Sequence, residues 1–222
     1  RHIQERLADE AFMLSQVQHP NVPAFVTYQV VKKQGILMMG RAQGVDLEQY
    51  GLRHGRLPVR LIVNIATQLA SLLLVLRGHQ KDGAACPIVH GDIKPSNIVF
   101  DETTGAISLV DWGSSVFAQV DEQGHYISNN VMALMSSDLQ SSNARLGDVY
   151  FIGSEQRQGG LSSPRFDEQG VAGTLYALAS GQSCRFGRKA IPARSLGLPM
   201  EFATMLDSML ADDPELRAQA GD

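Results

Sequence analysis

Between Pro58 and Leu76 the apolar residues Ile62, Ile65, Leu69, Leu72, Leu73 and Leu76 recur at intervals of three and four. That period lines them along one side of an α-helix, and so wide a stripe is stable only when other structure covers it. Asn64, Thr67, Gln68 and Ser71 interrupt the run. The segment therefore reads as a core helix, too short and too polar to span a bilayer. A chain of 222 residues can supply the cover as one large domain or two small lobes.

The elements around this helix follow from local pattern. Leu7, Phe12 and Leu14 among charges predict a helix over Glu5 to Gln16, stopped at His19-Pro20-Asn21. Phe25 to Val31 reads as a strand, Lys32 to Gln34 as a turn at Gly35, and Ile36 to Met39 as a second strand, which together make a hairpin. Gly40 to Gly44 reads as a linker and Leu47 to Leu52 as a short helix. Ile98 to Phe100 and Ile107 to Val110 are short strands around a Thr104-Gly105 turn. Asp121 to Asn143 is polar, with a helical turn expected at Val131 to Met135; Gly170 to Leu178 and Phe202 to Leu210 are apolar helices. A helix and two strands followed by mostly helices make a two-part α+β body, divided at Gly40 to Gly44. The chain opens at Arg1 inside a helical pattern and is expected to be a piece of a longer protein.

The formal charge of -4 gives no basic field for nucleic acid. The two cysteines, Cys86 and Cys184, stand in neither a zinc-like nor a redox spacing. They are expected to be thiols in a reducing compartment, and the protein to be cytoplasmic.

Chemistry concentrates in His90-Gly91-Asp92-Ile93-Lys94-Pro95-Ser96-Asn97, followed by the strand pair and then Asp111-Trp112-Gly113. Asp and Asn oxygens suit Mg²⁺, which binds through one or two carboxylates plus substrate phosphates. A nearby lysine suits a transferring phosphoryl group. A second aspartate off the metal can accept a hydroxyl proton. Singly, each of these residues is an ordinary turn former; jointly and in this order they match a phosphoryl-transfer motif.

His90 to Asn97 resembles the catalytic loop H-R-D-L-K-P-x-N of protein kinases, and Asp111-Trp112-Gly113 resembles their D-F-G. The resemblance implies an α+β, protein-kinase-like two-lobed fold, with a partial N-lobe over 1–40 and a mostly helical C-lobe over 41–222. It implies ATP and Mg²⁺ as cofactors and a protein as the second substrate. Asp92 would be the base and Lys94 the phosphoryl-steadying cation, while Asn97 and Asp111 would hold the metal. Asp-x-Lys-Pro-x-Asn is the form usual in Ser/Thr kinases. Glu10 matches the C-helix glutamate, Met39 the gatekeeper, Gly40 to Ala42 the hinge, Asp46 a ribose contact and Val99 the floor beneath the adenine. Gly147 to Glu155 resembles the G-T-x-x-Y-x-A-P-E region, and Asp167 with Tyr176 and Gly181 resembles the F-helix segment. Asp213-Pro214 and Arg217 resemble the closing D-P-x-x-R, whose arginine pairs with the glutamate matched by Glu155.

This sequence also departs from the family. The glycine-rich loop and its lysine would lie before Arg1, so an upstream segment or partner chain is expected to supply them, and residues 1–222 alone are expected to bind ATP weakly or not at all. Gly91 replaces the arginine that receives an activation-loop phosphate. Asp148 stands where a threonine is usual and Ser154 where a proline is usual. The stretch from Asp111 to Glu155 is longer than most activation segments and is expected to be mobile. Two other readings stay open: a small-molecule kinase of the aminoglycoside or choline type, matched by Gly91 and Trp112, and a non-catalytic pseudokinase scaffold. Lys94-Pro95, the Glu155 region and the Asp167 segment favour the protein kinase.

Overall fold

The computed structural model describes residues 2–120, 126–127, 164–181, 191–211 and 213–222. Helix α1 spans His2–Ser15 and leads into strands β1 (Phe25–Val31) and β2 (Gln34–Met39), paired antiparallel with Tyr28 opposite Leu37 and Val31 opposite Gln34. The turn is the two residues Lys32 and Lys33, at φ 48° and 66°, the left-handed pair that matches the twist of a hairpin. Gly35, expected in the turn, instead lies inside β2. A side chain there would meet the Tyr28 hydroxyl at 2.7 Å and Leu7 at 3.3 Å, so glycine is what lets α1 close over the sheet.

Strand β3 (Val45–Asp46) and helix α2 (Leu47–His54) follow the linker, and then helix α3 (Val59–Arg77). At 19 residues α3 is long and apolar enough to cross a membrane by length and composition, which corrects the expectation that the run is too short. One side of it packs into the core. Ile62, Ile65, Leu69, Leu72 and Leu76 are buried in the main hydrophobic cluster, and the polar Gln68 between them is hydrogen-bonded into the fold.

Past α3 the chain makes a small hairpin that the sequence did not announce, β4 (Gln80–Lys81) with β5 (Ala84–Ala85), turning at Asp82 and Gly83 with positive φ. Strand β6 (Ile88–Val89) enters the His90–Asn97 loop. A 3₁₀ turn at Pro95–Asn97 leads out of it into β7 (Ile98–Phe100), which pairs with β3 on one edge and β8 (Ile107–Leu109) on the other. Strand β9 (Val116–Phe117) returns to pair with β6, and β10 (Gln119–Val120) pairs with β11 (Tyr126–Ile127). Three helices close the described chain: α4 (Pro164–Ser180), α5 (Met200–Met209) and α6 (Pro214–Gly221).

The alternation in β7 sets up the site. Ile98 and Phe100 face the core while Val99 faces the opposite side, half-buried. Gly44 lies against this strand with φ +108°, and a Cβ on it would collide with the Phe100 carbonyl. An amide network joins the hairpin side to the helical side. Asn21 donates to the Ile107 carbonyl and to Gln68 Oε1, both at 2.8 Å. Gln68 Oε1 also accepts from the Ile107 N–H at 3.0 Å, and Gln68 Nε2 donates to the Gly105 carbonyl at 2.9 Å.

Candidate active site

Pairing of β6 with β9 and of β7 with β8 brings the loop after β6 beside the turn after β8. This places Asp92, Lys94 and Asn97 next to Asp111. The Val110 N–H donates to the Asn97 carbonyl at 2.9 Å, stitching the two segments directly.

Asp92 and Lys94 form an ion pair, Nζ to Oδ2 at 2.9 Å, with side chains only 15% and 18% exposed. Asn97 donates through Nδ2 to the Asp92 main-chain oxygen and to Asp92 Oδ2, each at 2.9 Å. The amide nitrogen is thereby committed to Asp92, so the amide oxygen is the end left to face a cation. Asp111 is exposed and sits at φ +61°, a conformation uncommon outside glycine though tolerated by Asp. Backbone strain of this kind clusters at functional sites.

Two buried groups hold the loop in shape. His90 is fully buried, edge-on to Trp112 with ring centroids 4.8 Å apart. Its Nδ1 accepts from the Asp92 N–H at 3.3 Å, so Nε2 carries the proton donated to the Val110 carbonyl at 3.1 Å. Burial holds this imidazole neutral, its pKa lowered to about 4. Asp167 at the start of α4 accepts from the His90 N–H at 2.7 Å and the Gly91 N–H at 2.9 Å. Burial nevertheless pushes its carboxyl up to about 7. Sequence reasoning matched Asp167 to a family segment and missed this anchoring function. The signal was partial: a carboxylate at the head of a helix that is buried must find donors, and Asp167 shares that position with Glu168. Gly91 stands at φ +83°, with the Ser114 carbonyl 3.0 Å from where a Cβ would be.

The expected nucleotide-side residues form a second group. Asp46 lies directly across the β3–β7 ladder from Val99. One Asp46 oxygen accepts from the Gln49 N–H at 2.8 Å, capping α2. Met39 ends β2 and is 43% exposed. The Gly40 N–H donates to the Ala24 carbonyl at 2.7 Å, and Ala42 is half-buried in the linker. Glu10, from α1, reaches the other end of the site. Burial raises its pKa, the Asp111 charge raises it further, and a hydrogen bond from the Trp112 N–H opposes both. The structure therefore brings Glu10, Asp111, Asn97, Asp92 and Lys94 together, with Met39, Gly40, Ala42, Asp46 and Val99 along the linker and β7. The expected partner of Arg217, Glu155, and the whole Gly147 to Glu155 stretch lie outside the described residues, as do Asp148 and the helical turn expected at Val131 to Met135. Arg217 itself is buried and donates to the Ala211 carbonyl at 2.7 Å.

No group of three or more His, Cys, Asp or Glu that could hold a metal occurs among the described residues. A site built on one carboxylate and one amide suits a cation that takes its remaining ligands from phosphates and water.

The chain is similar to the serine/threonine-protein kinase PrkC of Bacillus subtilis, at 28% identity over 188 residues, 84% of this chain and 25% of the relative. It is also similar to the probable serine/threonine-protein kinase PknB of Lactococcus lactis, at 23% identity over 80% of this chain and 24% of the relative, and to the serine/threonine-protein kinase PkaA of Streptomyces coelicolor, at 23% identity over 97% of this chain and 38% of the relative. The chain thus spans about a quarter of the length of PrkC and PknB. The family model for the protein kinase domain matches residues 1–221, and with that match across the catalytic loop, its buried supports and the helices beneath it, this chain belongs to the protein kinase domain family.

Proposed function

We propose that this domain transfers the γ-phosphoryl group of ATP to serine or threonine hydroxyls of a protein, in the cytoplasm. The observation that carries the reading is the Asp92–Lys94–Asn97 constellation, bonded through the Asn97 carbonyl to the Val110 N–H next to Asp111. The Ser/Thr preference is supported by the Asp-x-Lys-Pro-x-Asn form and by the likeness to the serine/threonine-protein kinases PrkC and PknB. A cytoplasmic setting is supported by Cys86, a free thiol.

The residues present fit Mg²⁺ and ATP. Asn97 offers its amide oxygen and Asp111 a carboxylate, both hard ligands of the kind Mg²⁺ takes. Val99 offers an apolar surface on the outward face of β7, across from Asp46. When bound, Mg²⁺ would supply positive charge that offsets the charge of the phosphates.

Asp92 is oriented by its bonds to Asn97 and to Lys94, so its carboxylate is held for an incoming hydroxyl and can take that proton as the oxygen attacks. Lys94 keeps positive charge beside the position where charge moves during transfer. Glu10 has a raised pKa, from burial and from the charge of its acidic neighbour Asp111. It calls for a cation, and the lysine expected from an upstream segment or partner chain meets that need.

The test is radiolabelled transfer from Mg²⁺-ATP by the full-length protein, with generic proteins, kanamycin and choline as alternative acceptors. Asp92→Asn is expected to lower kcat by about 10²–10⁴-fold, the usual range for a general base, with nucleotide affinity kept. Asp111→Asn is expected to lose Mg²⁺-dependent nucleotide binding. Transfer to the small molecules alone, or an Asp92→Asn protein at full rate, refutes the proposal.

A further inference from the structure

Helix α1 touches the rest of the site on two different sides. Glu10 faces the Trp112 N–H. Phe12, two residues on and so about 200° around the helix, packs edge-on against Phe117 of β9 with ring centroids 6.0 Å apart. Met13 and Leu14 root the helix in the core, but rooting alone leaves it able to roll. Contacts on two sides determine its rotation as well as its distance.

The Phe12–Phe117 pair has a third member. Lys81 of β4 places its ammonium 5.9 Å from the Phe12 ring centroid and 5.4 Å from that of Phe117. A cation within about 6 Å of a ring face is attracted by the ring's quadrupole. The β4–β5 hairpin that carries Lys81 has no core role: Gln80, Lys81, Ala84 and Ala85 are all exposed. Its base is nonetheless tied down. The His79 Nδ1–H donates to the Cys86 carbonyl at 2.8 Å, and the Cys86 N–H donates to the His79 carbonyl at 2.9 Å. The His79 ring then stacks on Phe117, centroids 5.6 Å apart. Phe117 pairs with Ile88 in β6, the strand that enters the catalytic loop. One exposed hairpin thus reaches α1, the strand after Asp111-Trp112-Gly113, and the strand before His90.

We propose that Lys81 is a positioning residue: seated on Phe12 and Phe117, its ammonium holds α1 in the rotation at which Glu10 meets the Trp112 N–H. The arrangement links the helix to the segment after Asp111 without a phosphate. That matters in a chain whose Gly91 cannot receive one. The effect on phosphoryl transfer rests on the function proposed above; the link itself does not, and it is tested without nucleotide.

The experiment compares amide hydrogen exchange in the wild-type chain, Lys81→Met and Lys81→Arg. Methionine keeps the reach and apolar stem without the charge, whereas arginine keeps a cation that binds ring faces at least as well. In Lys81→Met, the Trp112 amide and the α1 amides are expected to exchange about two- to fivefold faster, the opening equilibrium that corresponds to losing an exposed cation–π contact. Lys81→Arg is expected to retain the wild-type rates, and amides in α4 to be unmoved in both variants. Native exchange at Trp112 in Lys81→Met, equal acceleration in Lys81→Arg, or acceleration of α4 in step with α1 would each overturn the proposal.

Discussion

At Asp167, burial and hydrogen bonding pull in opposite directions. Two backbone N–H groups at 2.7 and 2.9 Å favour its ionised form, yet burial wins and the pKa rises from the ordinary 3.8 to about 7. An acid raised in the folded state stabilises the fold fully below its unfolded pKa, and that contribution is lost as pH climbs through the folded value. His90 runs the other way. Held at about 4 against an ordinary 6.5, it contributes stability at higher pH that is lost as pH falls through that range. The two windows overlap, so a titration of wild-type stability mixes them. Asp167→Asn isolates the acid. Urea unfolding from pH 4 to pH 7.5 is expected to show the variant less stable than wild type, by a gap that narrows as pH rises. A gap independent of pH would mean that Asp167 is ionised throughout.

Helix α4 can approach the catalytic loop because Gly170 has no side chain. A Cβ there would meet the Ile93 carbonyl oxygen at 2.7 Å and the Ile93 Cβ at 2.9 Å, and neither is the far end of a flexible group. Gly170→Ala sets two effects against each other. Alanine in place of glycine inside a helix contributes up to about 1 kcal/mol of stability. Overpacking a rigid contact costs about 1–3 kcal/mol. The clash is expected to win, with net destabilisation of about 1–2 kcal/mol in denaturant titration. Because Ile93 lies between Asp92 and Lys94, the same variant is expected to lower transfer activity in the full-length protein. A Gly170→Ala protein more stable than wild type would show that the loop yields at no cost.

Across the whole molecule, the hairpin side and the helical side are joined by polar groups as well as by core packing. Gln68 of α3 serves Asn21, the Ile107 N–H and the Gly105 carbonyl together. Leucine at position 68 would fill similar volume and suit the apolar stripe of α3. It would also leave the Ile107 N–H without its acceptor and remove one of the two acceptors of Asn21. An orphaned buried donor costs about 1–3 kcal/mol. Gln68→Leu is therefore expected to lower the thermal midpoint, although a hydrophobicity argument for a core helix points the opposite way. A higher midpoint in calorimetry would show that the network adds nothing that packing does not.

Regular elements with a strong period were legible from the chain alone. The α3 stripe, strand β1 and strand β7 all appear where local pattern puts them, because a period of 3.6 or 2 is a property of neighbouring residues. So was the order of chemical groups from His90 to Gly113, since a motif is read along the sequence. The β4–β5 hairpin was not legible: its strands are two residues each and wholly exposed, so they leave no hydrophobic alternation to read. Gly35 was placed in a turn on its local preference, and only the approach of Tyr28 and Leu7 shows why it belongs in a strand. The anchoring of His90 and Gly91 by Asp167 joins residues far apart in the chain. The same holds for the meeting of Glu10 with Trp112 and of Lys81 with Phe12 and Phe117. Sequence determined which groups were available and which helices and strands would carry them. Tertiary packing decided which groups face each other, because burial and proximity, which shift acidities and select partners, exist only once the chain has closed on itself.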